Sequence, residues 1–264
     1  MAYNLKGIAT VTRQKYLTAS EKGPWANSYD RWRNDNLTNR YQGVQFGYTS
    51  AGRYTSWNDI WSYPGYKERD ILPGDYKYED WNGDGEINGQ DEHPFAFDQT
   101  PWLQFSLNAG LQWKNLDFNM LLQGSALGSM EYKEPLHEIW GKNGGGALTQ
   151  FLDRWHPVDP KADPYDPSTV WTSGHYAYTG RWAKNNSAFN RVSTAYLRLK
   201  SIELGYTFPK LKQIPNASLR IYANAYNLLT FTGVKFVDPE HPDDDLGRMY
   251  PLNKTYTLGV SLSF

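Results

Sequence analysis

The chain has 264 residues, with 27 Lys and Arg against 28 Asp and Glu, a formal net charge of −1, and no cysteine. That balance gives no electrostatic reason to expect a nucleic-acid partner, and the missing thiols exclude disulfides and thiolate metal sites. No run approaches the roughly 20 apolar residues of a membrane helix; strands that cross a bilayer stay open, because they alternate and their average hydropathy is low.

In chain order, Met1-Ala-Tyr-Asn-Leu-Lys has neither the basic start nor the apolar stretch of a secretory leader. An envelope location therefore implies that the chain belongs to something longer. Residues 3–12 alternate weakly, with Tyr3, Leu5, Ala9 and Val11 on one side, and are expected as a strand. Residues 14–100 are polar and aromatic and are expected as a long loop. Within it, Tyr41 to Tyr48 reads as a short strand, and Ser56 to Trp61 as a helical turn stopped by Pro64.

Leu103 to Ala126 gives the clearest signal. Leu103, Phe105, Leu107, Ala109, Leu111 and Trp113 alternate with polar residues or Gly, and after Lys114-Asn115 the pattern resumes with Leu116, Phe118, Met120 and Leu122. Two strands (103–113 and 116–126) joined by a two-residue turn match the span of a tilted membrane pair. Residues 128–193 are expected as a second long loop, with one helix from Ala147 to Trp155; loops of this size are usually functional. Tyr196 to Phe208 is the next strand. Leu197 and Leu199 have one parity and Leu204, Tyr206 and Phe208 the other, which predicts a β-bulge near Lys200-Ser201. A turn from Pro209 to Pro215 leads to a strand at 218–228, a third loop at 230–250 and a last strand at 252–264. There Tyr256, Leu258, Val260, Leu262 and Phe264 alternate with Thr257, Gly259, Ser261 and Ser263.

Connections thus alternate long and short. Outer-membrane barrels have tight periplasmic turns and extended outer loops, so the pattern places loops 14–100, 128–193 and 230–250 outside the cell. A barrel also removes the bare edge that such a final strand presents in a soluble protein.

One loop has metal-ligand spacing. Asp80, Asn82 and Asp84 occupy positions 1, 3 and 5 of a calcium loop, Gly85 supplies the sharp turn, Glu86 offers its carbonyl, and Asn88 and Asp91 stand at positions 9 and 12. Structural Ca²⁺ is the expected occupant; an Asn/Gly-rich turn without metal is the plainer alternative. The carboxylates Glu131, Glu134, Glu138, Asp153, Asp159 and Asp163 suit a glycosidase only if two stand about 5 to 9 Å apart, and solvated loop charges are the simpler reading. Trp57, Trp61, Trp140, Trp171 and Trp182 fall in the outer loops as candidate platforms for sugar rings.

Several stretches then resemble one family. They are Leu72-Pro73-Gly74-Asp75-Tyr76-Lys77-Tyr78-Glu79-Asp80 running into Asn82-Gly83-Asp84-Gly85, Tyr196 to Tyr206 (YLRLKSIELGY), Tyr226-Asn227-Leu228-Leu229-Thr230-Phe231, Val237-Asp238-Pro239-Glu240, and Tyr250-Pro251-Leu252 leading to the terminal Phe264. Together they look like the C-terminal barrel portion of SusC-like TonB-dependent outer-membrane transporters of Gram-negative bacteria. The resemblance implies an all-β fold, part of a plugged 22-strand antiparallel barrel lying among lipid and lipopolysaccharide. It implies import of oligosaccharides, or in some relatives peptides, energised by TonB, with a SusD-like surface lipoprotein as lid. It implies no enzyme activity. About six strands fall in this chain, too few to close a lumen, so the plug, the TonB contact and the remaining barrel must be supplied by other residues. Two rival readings keep the same residues: a soluble calcium-stabilised carbohydrate-binding β-sandwich, and a glycoside hydrolase.

Overall fold

The computed structural model describes residues 1–19, 37–65, 71–133, 136–139, 147–178, 186–209, 217–241 and 246–264. Its strands are β1 (Ala2–Val11), β2 (Gln45–Gly47), β3 (Ser50–Arg53), β4 (Tyr76–Tyr78), β5 (His93–Ala96), β6 (Leu103–Trp113), β7 (Leu116–Ala126), β8 (Ser129–Glu131), β9 (His156–Pro157), β10 (Trp171–Thr172), β11 (Arg191–Ser193), β12 (Tyr196–Phe208), β13 (Ser218–Thr232) and β14 (Thr255–Ser263). A short helix among the described residues, α1, spans Trp57–Ser62.

Six strands form one antiparallel sheet in the order β1-β6-β7-β12-β13-β14. Its register separates the two faces. Tyr3, Leu111, Phe118, Leu204, Ala223 and Leu258 pair in one continuous row, and one residue along Asn4, Gly110, Asn119, Glu203, Asn224 and Thr257 form the next. Because side chains alternate across a strand, the first row belongs to an apolar face and the second to a polar one.

The predicted bulge is present. Register shifts between Leu199 and Ser201 against both β7 and β13. The change of parity in β12 therefore keeps Leu197 and Leu199 on the same apolar face as Leu204, Tyr206 and Phe208. Across from it, Asn227 adopts a left-handed φ of 53°. The neighbouring strand continues to Thr232, beyond the expected end at 228, because residues 229–232 pair with Tyr196 to Leu199. The last strand is shorter than expected, Thr255–Ser263 against 252–264. Residues 210–215 of the expected Pro209 to Pro215 turn and the acidic run 243–245 lie outside the described residues.

Among the described residues no second layer covers the apolar face. Leu258 is 77% and Val260 66% exposed, and Leu5, Leu204, Ile221 and Leu262 are exposed beside them. Each such side chain left in water forfeits about 1.5–3 kcal/mol of burial. Buried residues collect elsewhere, inside the long connections. Tyr48, Tyr78 and Ile87 form a core against Tyr76 and Phe189, and Leu72, Met130 and Phe151 are almost fully enclosed.

The connections are held by four small ladders, β2 with β5, β3 with β4, β8 with β11 and β9 with β10. A parallel bridge joins Tyr48 to Ser187, and Arg53 donates to the carbonyls of Gly74 and His175. The helix expected over Ala147 to Trp155 is instead a 3₁₀ turn, Thr149–Leu152. The Trp155 N–H bonds the Tyr176 carbonyl, 2.8 Å away, so tertiary pairing claims the backbone that a longer helix would need. Ser56 caps α1 by accepting from the Asp59 N–H at 3.2 Å.

Candidate functional site

Three features of the polar side and the connections bear on function: the acidic loop, an ion network on the sheet, and the aromatic pairs.

In the loop, the Asp80 carboxylate accepts from the N–H groups of Gly83, Asp84 and Gly85. Asn82 Oδ1 accepts from the Asp84 N–H at 2.9 Å, and Asp84 Oδ1 from the Glu86 N–H at 2.8 Å. These bonds curl the segment and hold Asp80, Asn82 and Asp84 together, with Gly83 and Gly85 in left-handed conformations (φ 73° and 86°). Asn88 and Asp91 do something different: they form a reciprocal capping box on a 3₁₀ turn. Asp91 is fully buried (0% exposed), with Oδ1 accepting from Trp81 and Asn82 and Oδ2 from Asn88. Burial raises its carboxyl above the ordinary carboxylate value, opposed by those amides. Among the described residues no group of three or more His, Asp or Glu side chains gathers as a metal cage. The donors that fit a hard cation are the oxygens of Asp80, Asn82 and Asp84 and the Glu86 carbonyl.

On the polar face, Arg198 is 1% exposed. Its Nε donates to Thr230 Oγ1 (2.9 Å), and its two terminal nitrogens go to Asp238 and Glu240 in the connection that follows β13. Glu240 also accepts from the Tyr196 hydroxyl (2.9 Å), Lys200 Nζ (3.1 Å) and Gln123 Nε2 (3.2 Å). The third connection is thereby fastened onto the sheet. This network was not foreseen from the sequence; the available signal was the phase of Arg198, in step with polar residues, ahead of a rigid Asp-Pro-Glu. Nearer the other end, Arg220 bridges Asp117 (3.1 and 2.5 Å) and Glu203 (2.6 Å). Gly205 leaves the room for it, since a Cβ there would stand 2.5 Å from Arg220 Nη2 and 2.7 Å from Asp117.

Of the predicted aromatic residues, Trp57 and Trp61 lie together on α1 with ring centroids 6.0 Å apart, and Trp61 is open to solvent. Trp171 is separate, on β10, edge-on to Tyr178 at 5.3 Å. Trp140 and Trp182 lie outside the described residues. Of the candidate carboxylates, Asp159 and Asp163 accept from the nearby N–H groups of Lys161 and Tyr165, Glu131 accepts from the Asn186 N–H, Asp153 accepts from the His175 N–H at 3.3 Å, Glu138 is buried with His137 Nε2 at 3.8 Å, and Glu134 is not among the described residues.

No protein-family model matches the chain. It is 28% identical over 211 residues to TonB-dependent receptor P3 of Formosa agariphila, covering 74% of this chain and 19% of that protein. It is 27% identical over 239 residues to TonB-dependent receptor P26 of the same organism, covering 85% and 22%. The chain thus spans about a fifth of the length of the curated relatives it matches. In fold it is similar to the RagAB peptide transporter, with TM-score 0.52 at 21% identity over 83% of this chain and 22% of that one. It is also similar to the RagAB peptide importer in its open-open state, with TM-score 0.53 at 20% identity over 99% and 27%.

Proposed function

We propose that the chain forms part of an outer-membrane, TonB-dependent importer of oligosaccharides with a SusC-like barrel; its similarity in sequence to TonB-dependent receptors and in fold to a segment of the RagAB transporter supports this reading. The observation that carries the proposal is the sheet's apolar face, which has exposed large apolar side chains on five of the six strands, β1, β6, β12, β13 and β14, and partly exposed ones on β7. A soluble sandwich buries such a face under a second layer, whereas a barrel gives it to hydrocarbon. In this reading the polar face lines the lumen, and the edges β1 and β14 pair with further strands of the same barrel. The long connections stand outside the cell, where α1 and the ladders around it meet a SusD-like lipoprotein lid. Plug and TonB contact belong to the rest of the transporter.

In the acidic loop we propose a structural Ca²⁺ held by Asp80, Asn82, Asp84 and the Glu86 carbonyl, with Asn88 and Asp91 clasping the loop's end. The ion would stiffen the segment leading into β5; no chemistry is routed through it.

The import proposal is tested with cells expressing the full-length protein. Labelled oligosaccharide should enter only when the inner membrane is energised, and the protein should leave the membrane fraction only with detergent. Recovery in the aqueous fraction without detergent, or uptake indifferent to energisation, would overturn it.

A further inference from the structure

The connections enclose a cavity of about 620 Å³ whose wall carries three cationic side chains, Arg53, Arg191 and Lys235, against one carboxylate, Asp153. Arg191 has Glu131 at 3.8 Å. Arg53 donates instead to two carbonyls and lies over the Tyr76 ring at 4.5 Å. Among the described residues no carboxylate pairs with Arg53, and the Lys235 ammonium has no ion-pair partner. The field is felt at His175, which is held below the ordinary histidine value by desolvation first and then by Arg53, with Lys235 adding to it.

The segment bearing Lys235 is built to present its side chains. The Tyr132 hydroxyl accepts from the Lys235 N–H at 2.8 Å and donates to its carbonyl at 2.9 Å, clasping the backbone from both sides. The next residue, Phe236, has a φ of 71°, a conformation bulky residues avoid, and it is 52% exposed on the cavity wall. A strained backbone that displays an aromatic ring beside an unpaired cation suggests a ligand contact.

The geometry points to an anion subsite, in which Lys235 and Arg53 receive a carboxylate or sulfate carried by an oligosaccharide whose ring lies on Phe236. The polymer class rests on the import reading above; the charge requirement does not. Arg53 is already oriented by its carbonyl partners, so binding costs it little ordering, and Lys235 supplies a mobile ammonium.

The test is calorimetric titration of the full-length protein in detergent with trigalacturonate, its fully methyl-esterified form, a sulfated galactose trisaccharide and tetraglutamate. The acidic glycans should bind, and the ester about tenfold or more weakly. Comparison of the first and third separates a carboxylate from a sulfate preference. Lys235→Met should weaken the acidic glycans about tenfold while Lys235→Arg does not. Phe236→Gly should lose affinity yet keep or raise thermal stability, because Gly accepts the left-handed backbone. An ester that binds as well as the acid, no binding of either acidic glycan, or an unaffected Lys235→Met would overturn the subsite and leave glycan import standing. Binding of tetraglutamate alone would instead bring down the glycan reading while leaving the cationic cavity in place.

Discussion

Arg198 Nη2 donates to both carboxylate oxygens of Asp238, at 2.8 and 2.6 Å, across 40 residues of sequence. With Glu240 on the other nitrogen, one buried guanidinium fixes the third connection to the polar face. Removing one partner from a buried ion pair strands the other charges, at a cost of about 3–5 kcal/mol. Arg198→Met should therefore lower the melting temperature in detergent and open residues 233–241 to protease. Adding Asp238→Asn and Glu240→Gln should recover part of the loss. A single variant that melts like the parent would show that the network holds nothing.

Calcium should raise the melting temperature of the connections and leave the sheet's β signal unchanged. At one hundred times its Kd, a ligand that binds only the folded state adds about 2.7 kcal/mol. Asp80→Asn with Asp84→Asn should abolish the increment and also terbium luminescence sensitised by Trp81. An increment that survives both substitutions would place the ion elsewhere.

Gly74 marks where two connections touch. Its φ is +91°, and an added Cβ would stand 2.3 Å from Trp155 Cγ. Gly74→Ala should cost about 2–5 kcal/mol, the sum of a left-handed Ala and an overpacked contact. Protease should then cut the connections while the barrel stays heat-modifiable on gels.

Acid should loosen α1. Lys77 Nζ donates to Asp59 at 2.6 Å and lies 4.0 Å from the Tyr63 ring. Chiefly the hydrogen bond from Lys77 holds the Asp59 carboxyl below its ordinary 3.8. A depressed carboxylate contributes stability that is present above that value and lost as pH falls through the folded one. Hydrogen exchange over residues 55–62 should accelerate below about pH 3.8, and Asp59→Asn should remove the dependence.

The sheet was legible because period-two alternation carries both its strands and its faces: 103–113, 116–126 and 196–208 fold over the predicted residues, and the parity change in β12 gave away the bulge. The connections were not. Their ladders join residues tens of positions apart, such as Ser50 with Tyr78 and Arg191 with Glu131, and no local periodicity announces such a pairing. The 3₁₀ turn at Thr149–Leu152 fails as a longer helix for the same reason: its next residues are taken by the Tyr176 segment. The acidic loop was visible as spacing, but the burial of Asp91 inside a capping box depends on neighbours that spacing does not reveal. The Lys235 cavity left no trace in sequence at all, being assembled from several separate stretches.

The central claim is that the apolar face meets lipid. The chain itself has no cysteine, so once any cysteine elsewhere in the full-length protein is replaced by serine, nitroxide labels can be placed singly along β13 and β14 in bilayers. Labels at Ile221, Ala223, Leu258 and Val260 should collide with oxygen and be shielded from a water-soluble nickel complex, and labels at Asn224 and Thr257 should do the reverse. Equal accessibility on both faces, or shielding of the first set from both reagents, would contradict the account.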